Sequence, residues 1–364
     1  GVVGLNCTQY GAVQYLLDNG YAKGKTSKTI SGYRVNDHLT RAEAVTFIHN
    51  LYEKGIKPAK RPKETSASCT SAGVPLDDIT VGGIAMHDNE AAVLDTLGEP
   101  QLKLASQYGF EWYVYNKDYE QYVQIGIQDG EVVALLTNSE NWQAPNGLGP
   151  DSVYRDVRDL YGRPLSYILK GNTRYMQPDK VEEISVYLRK DYYLTIYFDK
   201  YENNRIQAIQ LIDKKVEEEL KGFFGSPSKE LRESFERQIF EFANVSRTLQ
   251  GLEPFEWDDT AAQTARNHSR NMAVKRIFSH EIDGKTHAQR MEDNGIEYTM
   301  AGENIAYGQK DALEVHAGWM NSQGHRNNLL EKYERLGVGV YIKSDGTPYY
   351  TQNFFTPRKM LSIL

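Results

Sequence analysis

The sequence has few cysteines, no excess of basic residues and no long apolar run. Among its 364 residues only Cys7 and Cys69 are cysteines, which excludes a four-thiolate zinc site. These two thiols either form a disulfide across the first segment or stay unpaired. A formal net charge of −7 argues against a nonspecific nucleic-acid-binding protein, because such proteins need a basic face. No apolar run reaches the roughly 20 residues of a transmembrane helix, so we expect neither nucleic acid nor a membrane span.

The length and the start of the chain indicate a multidomain, exported protein. A chain of 364 residues predicts two or three domains. The hydrophobic fraction of 40% and the charged fraction of 25% are typical of soluble globular protein. The sequence begins at Gly1 without a methionine. We therefore interpret it as a mature or trimmed product from which a signal peptide has been removed.

Residues 1–57 carry two helical patterns joined by a polar loop. The second pattern opens at Thr40, which forms a capping box with Glu43. This helix-loop-helix with its Thr-Arg-Ala-Glu start resembles an S-layer homology (SLH) motif. The resemblance implies anchoring to cell-wall polysaccharide, with Arg41 in the glycan site. Working glycan sites of this kind usually combine three motifs, and the sequence has one.

Residues 58–74, rich in Pro, Lys, Ser and Thr, are predicted to form a linker, and residues 75–216 contain a weak internal repeat. Each copy has a short amphipathic helix that ends in Gly-X-Pro, at Gly98 and at Gly162. Three β-type runs follow each helix, and they predict an α+β domain made of two helix-plus-meander halves. The predicted strands are 111–115, 122–127, 132–136, 184–188, 193–198 and 206–211. This segment resembles the CAP-associated N-terminal domain.

Residues 217–364 are predicted to form a third domain, an α-β-α sandwich. A charged helical stretch over 217–235 precedes further helices near 235–246, 258–272 and 311–320. A β-hairpin follows over 337–354, and its Gly337 and Gly339 indicate close packing of a helix against the sheet. The predicted fold class is therefore α+β and multidomain.

Several separated motifs in this last domain keep a specific order. They are Phe278-Ser279-His280, Gly302-Glu303-Asn304, Trp319-Met320-Asn321-Ser322 and Gly324-His325-Arg326. The order resembles that of the CAP (SCP) superfamily of cysteine-rich secretory proteins, antigens and pathogenesis-related proteins. Many members have a cleft with two His and two Glu. The resemblance implies that His280, Glu303 and His325 are three of these four, and Ser322 stands at the position of the second Glu.

Two imidazoles and a carboxylate allow three interpretations. They suit a His₂Glu centre for a divalent cation such as zinc, or a general acid–base pair. In the third, Glu303 only orients a ring and supports the fold. Asn304, Ser322 and His287 are further candidates for the cleft, whereas His268 reads as a partly buried structural histidine. A serine hydrolase that pairs Ser322 with His325 is disfavoured by their spacing.

The sequence thus predicts an extracellular, cell-wall-associated protein of Gram-positive type. The first hypothesis is a binding module whose CAP cleft holds a divalent cation, or a lipid or glycan. The second is a metal-assisted hydrolase that acts on peptide or cell-wall material through the same three residues. The third is a non-catalytic scaffold, and the sequence does not decide whether the protein is an enzyme.

Overall fold

The structure is a computed structural model that describes residues 78–178 and 180–358. The predicted SLH-like motif with Arg41, the predicted linker, Cys7 and Cys69 all lie outside the described residues. Within these ranges, no helix is both long enough and apolar enough to cross a bilayer.

The N-terminal part of the described chain contains twelve strands and three helices. In chain order they are β1 (Thr80–Val81), β2 (Ile84–Ala85), α1 (Glu90–Leu97), β3 (Leu102–Ala105), β4 (Glu111–Tyr115), β5 (Val123–Gln128), β6 (Glu131–Thr137), β7 (Trp142–Gln143), α2 (Tyr154–Tyr161), β8 (Tyr167–Lys170), β9 (Thr173–Met176), β10 (Ile184–Arg189), β11 (Tyr192–Asp199), β12 (Arg205–Asp213) and α3 (Lys214–Glu219). Seven of the strands form one sheet in the order β10-β11-β12-β6-β5-β4-β3. Two small sheets, β2-β1-β7 and β8-β9, complete this part.

The large sheet joins the two predicted meanders. All six predicted strands are present within two residues of their expected bounds, as β4, β5, β6, β10, β11 and β12. The halves meet where β6 pairs antiparallel with β12. The helices end as predicted, because Gly98 and Gly162 follow them with φ of +74° and +76°. Glycine adopts this region of φ at little cost.

The C-terminal part adds five helices and four strands. They are α4 (Lys229–Leu249), β13 (Glu256–Trp257), α5 (Asp259–Lys275), α6 (His287–Asp293), β14 (Tyr298–Tyr307), α7 (Ala312–Met320), α8 (Gln323–Leu330), β15 (Arg335–Ile342) and β16 (Pro348–Pro357). The strands form a sheet in the order β13-β15-β16-β14.

Helices cover both faces of this sheet, so the predicted α-β-α sandwich is confirmed. On β15, Leu336, Val338 and Val340 face one way and join the core around α4. The two glycines between them face α5. A Cβ added at Gly339 would lie 1.9 Å from the backbone nitrogen of Arg266 on α5. The prediction that these glycines permit a close helix–sheet contact is therefore confirmed.

One local prediction was wrong. The helical stretch expected over 217–235 is interrupted: α3 ends at Glu219, and α4 begins only at Lys229 with Ser228 as its N-cap. A further element was not predicted. The segment around Gly302-Glu303-Asn304 lies inside β14, a strand of ten residues. Glu303 and Asn304 are buried polar residues in the middle of this strand, and they hide its apolar alternation.

Helix α4 lies between the two sheets and joins them into one core. Its Phe242 packs edge-to-face on Tyr122 of the N-terminal part, and its Phe235 packs against Tyr350 on β16. A buried ion pair crosses the same boundary. Arg326 on α8 donates to Asp199 at the end of β11 with an Nη1–Oδ2 distance of 2.6 Å, and both side chains are under 10% exposed. The N-terminal part therefore contacts α8 directly.

The close approach of β15 to α5 gives a stability prediction. We expect Gly339→Ala to lower the free energy of unfolding by about 3 kcal/mol, because the added methyl group meets helix backbone that cannot yield locally. Thermal and urea unfolding measure the change. The matched control is Gly318→Ala on α7, where the added Cβ meets nothing within 4 Å. In a helix interior, replacing Gly by Ala raises the free energy of unfolding by about 0.5–1 kcal/mol. Equal stability of the two variants would contradict the close packing.

Candidate functional site

Glu303 is the centre of the candidate site. It lies in the middle of β14, and its side chain is 1% exposed. Successive strand residues point to opposite faces of a sheet. Glu303 and Ile305 therefore share a face, and Ile305 packs there with Met272 of α5 and with Ile282. A carboxylate buried in such surroundings requires charged or hydrogen-bonding partners.

Two side chains occupy the two oxygens of Glu303. Nδ1 of His280 lies 2.8 Å from Oε1, and Nη2 of Arg290 donates to Oε2 at 2.5 Å. Burial alone raises the pKa of the Glu303 carboxyl, but the hydrogen bond with His280 and the charge of Arg290 outweigh it. The net pKa of Glu303 is therefore below its usual range, and the group is an anion at neutral pH.

His280 has one fixed nitrogen and one open nitrogen. Its Nδ1 contacts the carboxylate, whereas no residue of the described chain hydrogen-bonds its Nε2. The side chain is 55% exposed, so the open edge of the ring is accessible to solvent. A carboxylate that accepts from Nδ1 sets the tautomer and the orientation of the ring. His280 is therefore a preoriented imidazole, with Nε2 available as an acceptor, a base or a ligand.

Three further imidazoles surround this pair. His268, on α5, is fully buried, and its Nε2 lies 3.1 Å from the carbonyl oxygen of Ser279 and 3.9 Å from Oε1 of Glu303. Burial lowers the pKa of His268 to about 4, so the ring is neutral. Burial also lowers the pKa of His287 and that of His325, and a proton on His280 lowers both further. Both rings therefore lie within electrostatic range of His280, and a shared site with Glu303 stays a prediction.

Asn304 has a structural role in this arrangement, and Ser322 marks the start of α8. Asn304 points to the opposite face of β14 from Glu303 and is fully buried. Its Nδ2 donates to the His325 carbonyl at 3.1 Å, and its Oδ1 accepts from Asn328 on α8 at 2.9 Å. Ser322 is the N-cap of α8, although its side chain makes no capping hydrogen bond. Asn304 therefore holds α8, the helix that carries His325, against the sheet.

The donor set does not form a three-ligand metal centre. Both oxygens of Glu303 are taken by His280 and Arg290. Among residues 78–178 and 180–358, no three His, Cys, Asp or Glu side chains stand close enough together to hold a metal ion. Zinc centres usually take at least three protein ligands. The contact with Nδ1 shows that the carboxylate orients the ring of His280, and the divalent cation stays a prediction.

Sequence reasoning missed Arg290 and did not place His268 near Glu303. Arg290 lies on α6, one turn after His287, and its Nη1 also donates to the carbonyl groups of His280 and Lys285. A signal for Arg290 was present in the capping box of Thr286 and Gln289, which starts α6 and places positions 287 and 290 on one face. His268 gave no such signal, because its approach to Glu303 depends on the packing of α5 against the sheet.

The buried pair gives a pH-dependent stability prediction. We expect Glu303→Gln to lower the free energy of unfolding by about 3 kcal/mol at neutral pH, because it leaves Arg290 buried without its counter-charge. The pKa of Glu303 is lowered in the folded protein, so its stabilisation is present above the unfolded pKa of about 4.3 and is lost as pH falls below it. The gap between wild type and variant should therefore narrow in urea unfolding below about pH 4. Glu281→Gln, at an exposed neighbour, is the control, and a gap independent of pH would contradict the prediction.

Two family models match the chain in succession. The CAP-associated N-terminal model matches residues 86–223, and the model of the cysteine-rich secretory protein family (CAP) matches residues 240–354. An "Uncharacterized membrane protein YlbC" of Bacillus subtilis (strain 168) is 33% identical over 285 residues, which are 72% of this chain and 80% of that protein. An "Uncharacterized protein YkwD" of the same organism is 40% identical over 125 residues, 33% of this chain and 47% of that protein.

Solved structures agree with these matches. The crystal structure of an extracellular protein containing a SCP domain, from Bacillus anthracis str. Ames, has a TM-score of 0.67 at 29% identity and covers 82% of this chain and 99% of its own. A cysteine-rich secretory protein from Staphylococcus aureus subsp. aureus Mu50 has a TM-score of 0.60 at 17% identity, with 74% and 93% covered, and shares the fold. The chain therefore belongs to the cysteine-rich secretory protein (CAP) family, with a CAP-associated N-terminal domain ahead of its CAP domain.

Proposed function

We propose that this protein is an extracellular binding protein whose CAP cleft takes a small ligand through the imidazoles of His280 and His325. The observation that carries the proposal is the buried Glu303 carboxylate, which fixes Nδ1 of His280 and leaves its Nε2 exposed. Burying a charge costs free energy, and one oxygen of this buried carboxylate orients the exposed ring of His280. Such preorganisation lowers the entropy lost when a ligand binds.

A cluster of aromatic rings that includes Phe278, close to His280 in sequence, favours a ligand with an apolar face, such as a glycan or a lipid. Phe278 lies two residues before His280, and the centroid of its ring is 4.9 Å from that of Tyr307. The ring of Tyr307 in turn stacks on Tyr349, with 5.2 Å between the centroids. The rings of Phe278 and Tyr307 are about half exposed. Small-molecule sites combine apolar walls with a few placed polar groups. The rings and the imidazole supply both kinds of contact.

The proposed extracellular location rests on the relatives. The Bacillus anthracis neighbour is described as extracellular, whereas the Bacillus subtilis relative that shares 285 residues is called a membrane protein. Both descriptions are compatible with a protein held at the cell envelope. Attachment to cell-wall polysaccharide through the SLH-like motif, with Arg41 in contact with the glycan, stays a prediction.

Binding is tested with soluble peptidoglycan fragments as the probe, by calorimetry and by NMR of the histidine rings. We expect His280→Ala to weaken binding about tenfold, because one hydrogen bond to an oriented imidazole is lost. His325→Ala should weaken binding by a similar factor. Glu281→Ala, at the exposed neighbour of His280, is the control and should bind as the wild type does. Unchanged affinity in both histidine variants would leave a scaffold role.

The divalent cation predicted from the sequence is tested separately. Metal is measured on protein purified without chelator, for wild type, His280→Ala and His325→Ala. Because Glu303 is occupied by its two partners, we expect little tightly bound metal in the wild type. A full equivalent of metal that is lost in both variants would contradict this expectation and restore a cation site.

Hydrolysis is the second candidate, and the paired carboxylate and imidazole favour it. An imidazole held by a carboxylate through Nδ1 can act as a general base on water through Nε2. Turnover of peptidoglycan fragments that disappears in His280→Ala and falls in Glu303→Gln would establish it. Binding of the same fragments without turnover would leave the binding role.

A further inference from the structure

We infer that the CAP domain carries a second ligand site, a basic pocket between α4, α5 and β15 that binds the phosphate group of an anionic ligand. The basic pocket is defined by Lys229, Arg232, Asn267, Arg266, Arg270 and Tyr341, and its volume is about 450 Å³. Small-molecule sites commonly occupy about 300–1,000 Å³. The basic pocket shares no lining residue with the His280–Glu303 site, so the inference goes beyond the proposed function.

A buried carboxylate holds two of the arginines that line the basic pocket. The Glu236 side chain, on α4, is 4% exposed and accepts from two guanidinium groups at once. Arg232 donates to both Glu236 oxygens at 3.0 and 2.9 Å, and Arg266 donates to both at 2.8 Å. The backbone N–H of Val340 on β15 donates to the same carboxylate. Two arginines are therefore fixed in place by one negative charge.

The cations of the basic pocket outnumber its carboxylates. Lys229 lies 3.7 Å from Glu233, which also accepts from Arg232. Asp259 adds a third negative charge near Arg266. No described residue forms a hydrogen bond or an ion pair with the guanidinium of Arg270, which is exposed at the rim. The local charge is thus positive on a chain whose net charge is −7.

Oxyanions suit this arrangement better than other ligands. A guanidinium presents five N–H donors in a planar fork. Arg232 and Arg266 use some of theirs on Glu236, and each donates once more, to Glu233 and to Gln263. Each guanidinium therefore keeps N–H groups for a ligand. The N-terminus of α4, a helix of 21 residues, also opens at Ser228 and Lys229 beside the basic pocket. Its positive end adds to the attraction. Tyr341 supplies a less polar wall for the organic part of a phosphate ester. A long nucleic-acid strand is disfavoured, because it needs an extended basic face.

The test compares phosphate ligands at constant ionic strength, by calorimetry on the full chain. The probes are inorganic phosphate and glycerol 3-phosphate for monoesters and a glycerol-phosphate oligomer for phosphodiesters. Acetate is the reference anion. We expect Lys229→Gln/Arg270→Gln to weaken the tightest of these interactions at least about tenfold, since two charge-assisted contacts are removed. Both positions are exposed, and neither bonds Glu236, so the fold is retained.

A second double variant separates a local effect from net charge. Lys117→Gln/Arg155→Gln removes one lysine and one arginine from exposed positions of the N-terminal part. We expect it to bind phosphate within about twofold of the wild type, because distant surface charges are screened. Stronger binding of the oligomer than of the monoesters would identify a phosphodiester chain as the ligand, and the reverse order a free monoester. The inference is overturned if phosphate binds no better than acetate, or if both double variants lose affinity equally.

Discussion

The position of α4 between two sheets is the constraint on which the described structure depends. Thirteen of its 21 residues are buried, including polar ones on several sides. A polar group in such a place must find a partner within the protein. Gln238 donates to Gln124 of the large sheet at 2.7 Å, and Arg247 donates to the carbonyl groups of Leu329, at the end of α8, and Glu331, just after it. These bonds fix the helix to both parts, and they fix the part that carries the CAP cleft relative to the CAP-associated part.

Much of the fold could be predicted because its signals are local. The Gly-X-Pro endings of α1 and α2 and the alternating runs after them define both halves of the large sheet. Gly337 and Gly339 predict the close approach of α5 to β15, since only glycine leaves room there for the backbone of α5. β14 could not be recognised in this way. Its central residues are polar because they bind neighbours in three dimensions, and that reason is invisible along the chain.

The candidate site was predictable as a set of residues but not as a set of roles. The order of the motifs, through the family resemblance, singles out His280, Glu303 and His325, and the structure shows the contact between the first two. Which atoms remain open depends on a residue that the pattern does not mark. Arg290 donates to the second oxygen of Glu303, so both oxygens of this carboxylate have partners within the protein. Asn304 likewise serves α8 because neighbouring strand residues face opposite ways.

The ion pair between Arg326 and Asp199 has a consequence for how the CAP domain can be studied. His325 is the residue before Arg326, and the guanidinium of Arg326 obtains its buried counter-charge from β11 of the CAP-associated domain. A CAP domain excised from this chain would retain the Glu303–His280 pair, yet it would expose an unneutralised cation beside the second imidazole. The N-terminal domain thus stabilises the helix that carries His325 through this ion pair. Ligand measurements on the isolated domain would report on a differently supported site.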